Sequence, residues 1–200
     1  MLLRYSCLRT QVYREETTLT TITDTRKLAA GTWQLDTVHS RLGFTVEYMA
    51  GTFHAGVAPF EATLTVSDDG VATLAGKALV ESIQVGDDAL HAHLGSPEFF
   101  DAERTPEITF ASAPFDPTRD RIAIVGQLTI KGTALPVELA GTLGGPLVDP
   151  YGRERVNLTL EAAVDRSAFG LDWNAELPDG EPALAQDVNL VAELALVRSE

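Results

Sequence analysis

Several absences set the outer limits of this chain. It has a single cysteine, Cys7, so no intramolecular disulfide can form and stability has to come from buried apolar area and backbone pairing. No apolar run approaches the ~18 residues of a membrane-spanning helix. The opening MLLRYSCLRTQVYREETT also lacks the roughly 7–15-residue apolar stretch of a secretory signal, and the expected location is therefore the cytoplasm. Positive charge is scarce, with 15 Lys and Arg against 29 Asp and Glu and a net charge of −14 at pH 7. Such a surface repels nucleic-acid phosphates and anionic membrane surfaces, so no nucleic-acid partner is expected. No G-x-S-x-G turn occurs, which removes the usual nucleophile of an α/β hydrolase.

Apolar residues arranged at strand spacing are plentiful. Hydrophobic residues make up 44% of the 200 positions, enough for one domain with a substantial core. From Ser40 to Tyr48 the apolar residues Leu42, Phe44, Val46 and Tyr48 alternate with Arg41, Gly43, Thr45 and Glu47, the period of a half-buried strand. After Met49–Thr52 the pattern resumes at Phe60, Ala62, Leu64 and Val66, and the two runs read as antiparallel neighbours. Asp69-Gly70 marks a tight reversal into Val71–Val85, where Gly76 suggests a bulge. Further strands are expected over Glu107–Ser112, Arg121–Gly132, Leu135–Gly144, Arg153–Asp165 and Asp187–Val197.

One segment breaks the alternation. Asp87-Asp88 before ALHAHL, with Gly95 and Pro97 beyond it, predicts a short helix, and the adjacent Phe99 and Phe100 suit a turn that plugs an apolar opening. About eight or nine short strands without βαβ alternation predict an all-β antiparallel barrel or sandwich with one or two short helices. Residues 31–200 form this domain. Residues 1–30, rich in Thr and charge and without periodicity, read as a disordered or loosely docked arm.

Polar candidates are few. Asp36, His39 and Ser40 contain the residue types of a catalytic triad, but neighbouring His and Ser on a strand project to opposite faces, and strand-end hydrogen bonds are the simpler reading. His91 and His93 form an H-x-H pair that a helix would separate by ~200°, and no third ligand stands at a recognisable spacing, so no metal site is expected. Asp165-Arg166 with Phe169-Gly170 reads as a strand end whose arginine fork ties down a neighbouring loop.

The order Trp33, Leu35, Asp36, His39, Ser40, Phe44, Val46, Met49, Phe53, Phe60 resembles the opening of the YceI-like family. Three later blocks are similar to it as well: LGSPEFFDAERTPEITFAS (Leu94–Ser112), GQLTIKGTALPVEL (Gly126–Leu139) and VDRSAFG (Val164–Gly170). The resemblance implies an elongated, lipocalin-like barrel whose hydrophobic tunnel encloses a polyisoprenoid or quinone-type lipid, without a catalytic step or a cofactor, and often as a homodimer. Where the family pattern has a basic residue and an aspartate, this chain has Leu90 and His91. Combined with the inward faces of the strands, the resemblance assigns the tunnel lining to Leu42, Phe44 and Val46, to Phe60 and Leu64, to Phe99, Phe100 and Phe110, to Ile124 and Leu128, and to Leu158, Leu160 and Phe169. His39 and His93 are the polar candidates at the tunnel mouth. The alternatives are an enzyme acting on such a lipid and a ligand-free barrel whose interior is filled.

Overall fold

The alternation is realised as one antiparallel sheet closed on itself. The computed structural model describes residues 27–199. In chain order the strands are β1 (Gly31–Leu35), β2 (Arg41–Tyr48), β3 (Gly51–Val57), β4 (Phe60–Val66), β5 (Ala72–Leu79), β6 (Ile83–Gln84), β7 (Glu107–Ser112), β8 (Arg121–Ile130), β9 (Thr133–Val148), β10 (Glu154–Asp165) and β11 (Leu184–Arg198). The helix α1 spans Asp88–Gly95 between β6 and β7. Closure comes from β1 against β11, with Trp33 opposite Arg198 and Leu35 opposite Leu196.

Three of the barrel strands are broken midway. β1 and β2 lie end to end along β11, β4 and β3 lie end to end against them, and β5 and β6 continue the same arrangement on the next edge. Counting each broken strand once gives an eight-stranded closed antiparallel barrel.

This corrects the expected pairing of Ser40–Tyr48 with Phe60–Val66. β2 pairs with β3, Val46 opposite Phe53, whereas β4 pairs with β1, Leu64 opposite Trp33. The sequence GTFHAGV hides β3 because glycine and alanine dilute its period, and Pro59, which has no N–H to donate to a ladder, separates it from β4. The expected single strand over Val71–Val85 is likewise interrupted, at a 3₁₀ turn over Val80–Ser82 rather than at Gly76. There the Ser82 hydroxyl donates to the Leu79 carbonyl (2.7 Å) and the Val80 N–H to Pro106 (2.8 Å). Gly76 stays in the ladder, between Ala62 and Phe110.

α1 forms where Asp87 and Gly95 predict it. The Asp87 carboxylate caps the helix by accepting from the Leu90 N–H at 2.7 Å. Asp165 does the same for the 3₁₀ turn Arg166–Phe169, accepting from Ser167 N at 2.8 Å, and Gly170 leaves that turn at φ +73°.

Burial divides the barrel into two halves. In the half containing the β4–β5 and β9–β10 turns, the inward residues Trp33, Leu64, Ile124, Leu158 and Leu196 are all 0% exposed. In the other half the inward residues Leu42, Phe44, Leu139, Leu190 and Ala192 are only half-buried. An inward apolar side chain that keeps accessible surface faces a void, so one half is filled and the other is hollow.

Most of the expected N-terminal arm, residues 1–26, lies outside the described residues. Leu28 falls within that expected arm but is 3% exposed and belongs to the core. Around it the Trp33 indole N–H donates to the Ala29 carbonyl (3.2 Å) and Arg198 Nη2 to the Ala30 carbonyl (2.8 Å).

A charged clamp on the outer wall ties the β1–β2 corner to the β9–β10 turn. Arg155 donates from Nη1 to Asp36 Oδ2 and from Nε to Asp149 Oδ2, both at 2.7 Å. Asp149 also accepts from Arg153 Nε at 3.0 Å. The Arg155 hydrogen bond, assisted by His39, lowers the Asp36 pKa from 3.8 to about 2, and Arg155 holds that of Asp149 well below the usual carboxylate range.

Carboxylates depressed in the folded state add stability that is fully present above their unfolded value and is lost as pH falls through the folded one. The expected result is a thermal midpoint that drops more steeply between about pH 4 and pH 2 in the natural protein than in Arg155→Met. Parallel melting curves across that window would show that the clamp contributes nothing to acid resistance.

Candidate functional site

The hollow half encloses a cavity of ≈ 400 Å³ with an almost wholly apolar wall. Its sides come from alternate residues of the strands. Leu42, Phe44 and Val46 of β2 face Leu190 and Ala192 of β11, and Phe60 and Ala62 of β4 continue the wall through Ala78 of β5 to Phe110 of β7. Small residues leave room between the large ones. Where Ala62, Gly76 and Ala78 carry little or no side chain, the backbone of β4 and β5 forms the wall.

Helix α1 and two connections roof the cavity. Leu90 and Leu94 of the helix line it together with Phe99, Phe100 and Phe169. His93 packs edge-on against Phe99 at a centroid distance of 4.9 Å and against Trp173 at 5.0 Å, and Phe99 and Trp173 are 5.3 Å apart. Edge-to-face packing at these distances stabilises aromatic clusters beyond area burial alone. The His93 ring Nδ1 lies 3.8 Å from the Glu98 carboxylate.

Arg166 holds this roof to the barrel. Its side chain is 4% exposed, and Nε donates to the Ala185 carbonyl at 2.7 Å, Nη1 to Trp173 at 2.8 Å and to Leu171, and Nη2 to Leu184 at 3.4 Å. Burial pushes the guanidinium pKa down, and Asp172 and Asp165 counter it. Asn174 adds a second tie, accepting from Leu184 N at 2.9 Å and donating to its carbonyl at 2.7 Å. The loop-anchoring role expected of Arg166 is thus what its hydrogen bonds describe, and through Trp173 it bears on the cavity.

The structure gathers most of the expected lining. Leu42, Phe44, Val46, Phe60, Phe99, Phe100, Phe110, Leu128, Leu160 and Phe169 border the cavity. Leu64, Ile124 and Leu158 do not: they face inward as read, but they lie in the filled half, where packing leaves no void beside them. His93 lies at the cavity roof and His39 on the outer wall. The His39 ring, 67% exposed, bonds Asp36 Oδ2 through Nδ1 at 2.9 Å. The Ser40 hydroxyl donates to the Asp36 carbonyl (2.7 Å) and accepts from Ala195 N (2.9 Å), so its bonds are to backbone and not to His39.

His91 and His93 diverge on α1. His91 Nε2 lies 3.2 Å from the Glu81 carbonyl while His93 meets the roof aromatics. Among the described residues no group of three or more potential ligands could hold a metal ion. None of their helices is long and apolar enough to cross a membrane.

The sequence reading missed Trp173 and the upper part of β11 as lining. Trp173 sits in an irregular connection without periodicity. Val188, Leu190 and Ala192 carried the right period but gave no sign of which half of the barrel they would enter.

Known proteins share this architecture. The structure of Burkholderia cenocepacia BcnA superposes with a TM-score of 0.67 at 20% identity, covering 80% of this chain and 98% of that one. A polyisoprenoid binding domain from Saccharophagus degradans superposes with a TM-score of 0.59 at 12% identity over 84% and 98%. In sequence, a UPF0312 protein of Pectobacterium atrosepticum is 32% identical over 108 residues, and the chain spans about half of that relative's length, 53%. Protein YceI of Escherichia coli O157:H7 is 27% identical over 167 residues, 81% of this chain and 83% of the relative. The YceI-like domain model matches residues 33–196, almost the whole barrel from Trp33 in β1 to Leu196 in β11, and the chain belongs to the YceI-like family.

Proposed function

We propose that this protein binds an apolar lipid of the isoprenoid or quinone type inside the barrel and serves as its carrier, store or sensor, with no catalytic step. The observation that carries the reading is the ≈ 400 Å³ cavity with an apolar wall, in which Leu42, Phe44, Leu139, Leu190 and Ala192 face inward yet stay only half-buried. Leaving such surface uncovered forgoes about 25 cal/mol for each Å² that a ligand would cover, so an apolar molecule has a strong reason to enter. Membership in the YceI-like family and the likeness to a polyisoprenoid binding domain support the same ligand class. A cytosolic location and pairing as a homodimer belong to this reading and are tested by cell fractionation and sedimentation.

Native mass spectrometry of the protein from its own host tests the proposal. A co-purifying apolar molecule at one per chain is expected, and a species free of such ligand that also fails to take up a fluorescent prenyl probe would refute it. Because apolar burial carries the affinity, His39→Ala and His93→Ala should each leave probe binding within about threefold. A loss above about a hundredfold in either would bring forward an enzyme or a polar-anchored site.

A further inference from the structure

The cavity does not run the length of the barrel, and named side chains set where it stops. On β4, Ala62 lines the void, while Leu64, the next inward residue, is 0% exposed and lies outside the lining. On β10 the change falls between Leu160, which borders the void, and Leu158, which does not, both side chains being sealed from solvent. On β8 it falls between Leu128 and Ile124, and the inward Gly126 between them is covered by the Phe110 ring, which occupies the place a Cβ would take. Trp33, opposite Leu64 in the ladder and also 0% exposed, completes this floor.

We propose that the floor of Trp33, Leu64, Ile124 and Leu158 is a ruler that limits how much of an apolar chain the barrel encloses. This rests on the apolar-ligand reading above. A void of ≈ 400 Å³, at roughly 20–30 Å³ for each non-hydrogen atom, takes about 13–20 such atoms. That is a prenyl segment of about three or four isoprene units. A longer chain leaves the excess outside, because the floor is packed at interior density and parting it would forfeit the contacts of several sealed side chains. Affinity should therefore rise with chain length only until the cavity is full.

The test uses prenyl alcohols of two, three, four and five isoprene units, competed against N-phenyl-1-naphthylamine fluorescence. Affinity is expected to rise at least about tenfold from two units to three, since each buried methylene adds to binding, and less than about threefold from four to five. Ala62→Leu, which raises the floor, should move the plateau about one unit shorter, and Leu64→Ala, which lowers it, about one unit longer. If Leu64→Ala does not fold, the natural protein and Ala62→Leu decide the matter. A steady tenfold climb through five units, or a plateau unmoved in Ala62→Leu, overturns the ruler and leaves the apolar-ligand reading standing. If no alcohol of any length displaces the probe, that reading fails and the ruler with it.

Discussion

Replacing Arg166 by alanine is expected to lower the unfolding free energy by about 3–5 kcal/mol, because the truncation strands several buried acceptors at once. The guanidinium donates to the carbonyls of Leu171 and Trp173, in the connection that follows its own turn, and of Leu184 and Ala185 at the start of β11, and so joins the two. Alanine offers no donor to any of them; the Leu184 carbonyl keeps Asn174, but those of Leu171, Trp173 and Ala185 lose this donor, and a buried carbonyl left without a partner costs ~1–3 kcal/mol. Arg166→Lys should recover only part of the loss, since an ammonium is a compact point donor and cannot reach carbonyls arrayed around a planar fork. Denaturant unfolding with matched slopes measures both variants, and values within about 1 kcal/mol of the natural protein for both would remove Arg166 as the anchor of the roof. The same change should loosen Trp173, and with it the aromatic cluster of Trp173, His93 and Phe99.

The second large effect is expected on binding rather than on stability. Ala192 faces the cavity from β11, paired with Leu160 on one side and Leu42 on the other. In Ala192→Phe the ring projects into space that an apolar ligand would otherwise fill. Displacing three or four methylenes' worth of contact, at ~0.8 kcal/mol each, corresponds to about a hundredfold loss of affinity for a prenyl probe. The fold should change by less than about 1 kcal/mol, whereas overpacking a filled core costs ~1–3 kcal/mol. Probe titration and thermal melting on the same sample separate the two. Unchanged binding together with marked destabilisation would mean that the space beside Ala192 is not a ligand site.

The strands were legible because their period is local. Leu42, Phe44, Val46 and Tyr48 advertise β2 without help from the rest of the chain, and Glu107–Ser112 was read with the bounds that the structure shows. The cap of α1 was legible for the same reason, since Asp87 needs only Leu90 to act as one. Partners were a different matter. β3, with Gly51, Ala55 and Gly56 in seven residues, carries too little apolar contrast to register, and missing it assigned β4 to the wrong neighbour.

The candidate site divides in the same way. Alternation settles that Leu64, Ile124 and Leu158 point inward, as it does for Phe44, Phe110 and Leu160. It does not distinguish the filled half of a barrel from the hollow one, because both present apolar residues at period two. His39 and His93 were both mouth candidates in sequence, although the bond of His39 to Asp36 was already readable there; the fold decides that this pair sits on the outer wall and that His93 packs against Trp173 at the cavity.

By itself, then, the sequence determined the all-β class, the inward face of most strands, the helix and the absence of disulfide support, since each depends on residues that are neighbours in the chain. The tertiary structure decided that three barrel strands would break, which of them would pair across the breaks, and that side chains would fill one half and leave the other open. Those outcomes depend on the volumes that distant strands bring to the same layer, Trp33 beside Leu64 in one half and Ala62 beside Gly76 in the other. Packing at fixed density converts that difference in side-chain volume into a sealed floor and a cavity above it.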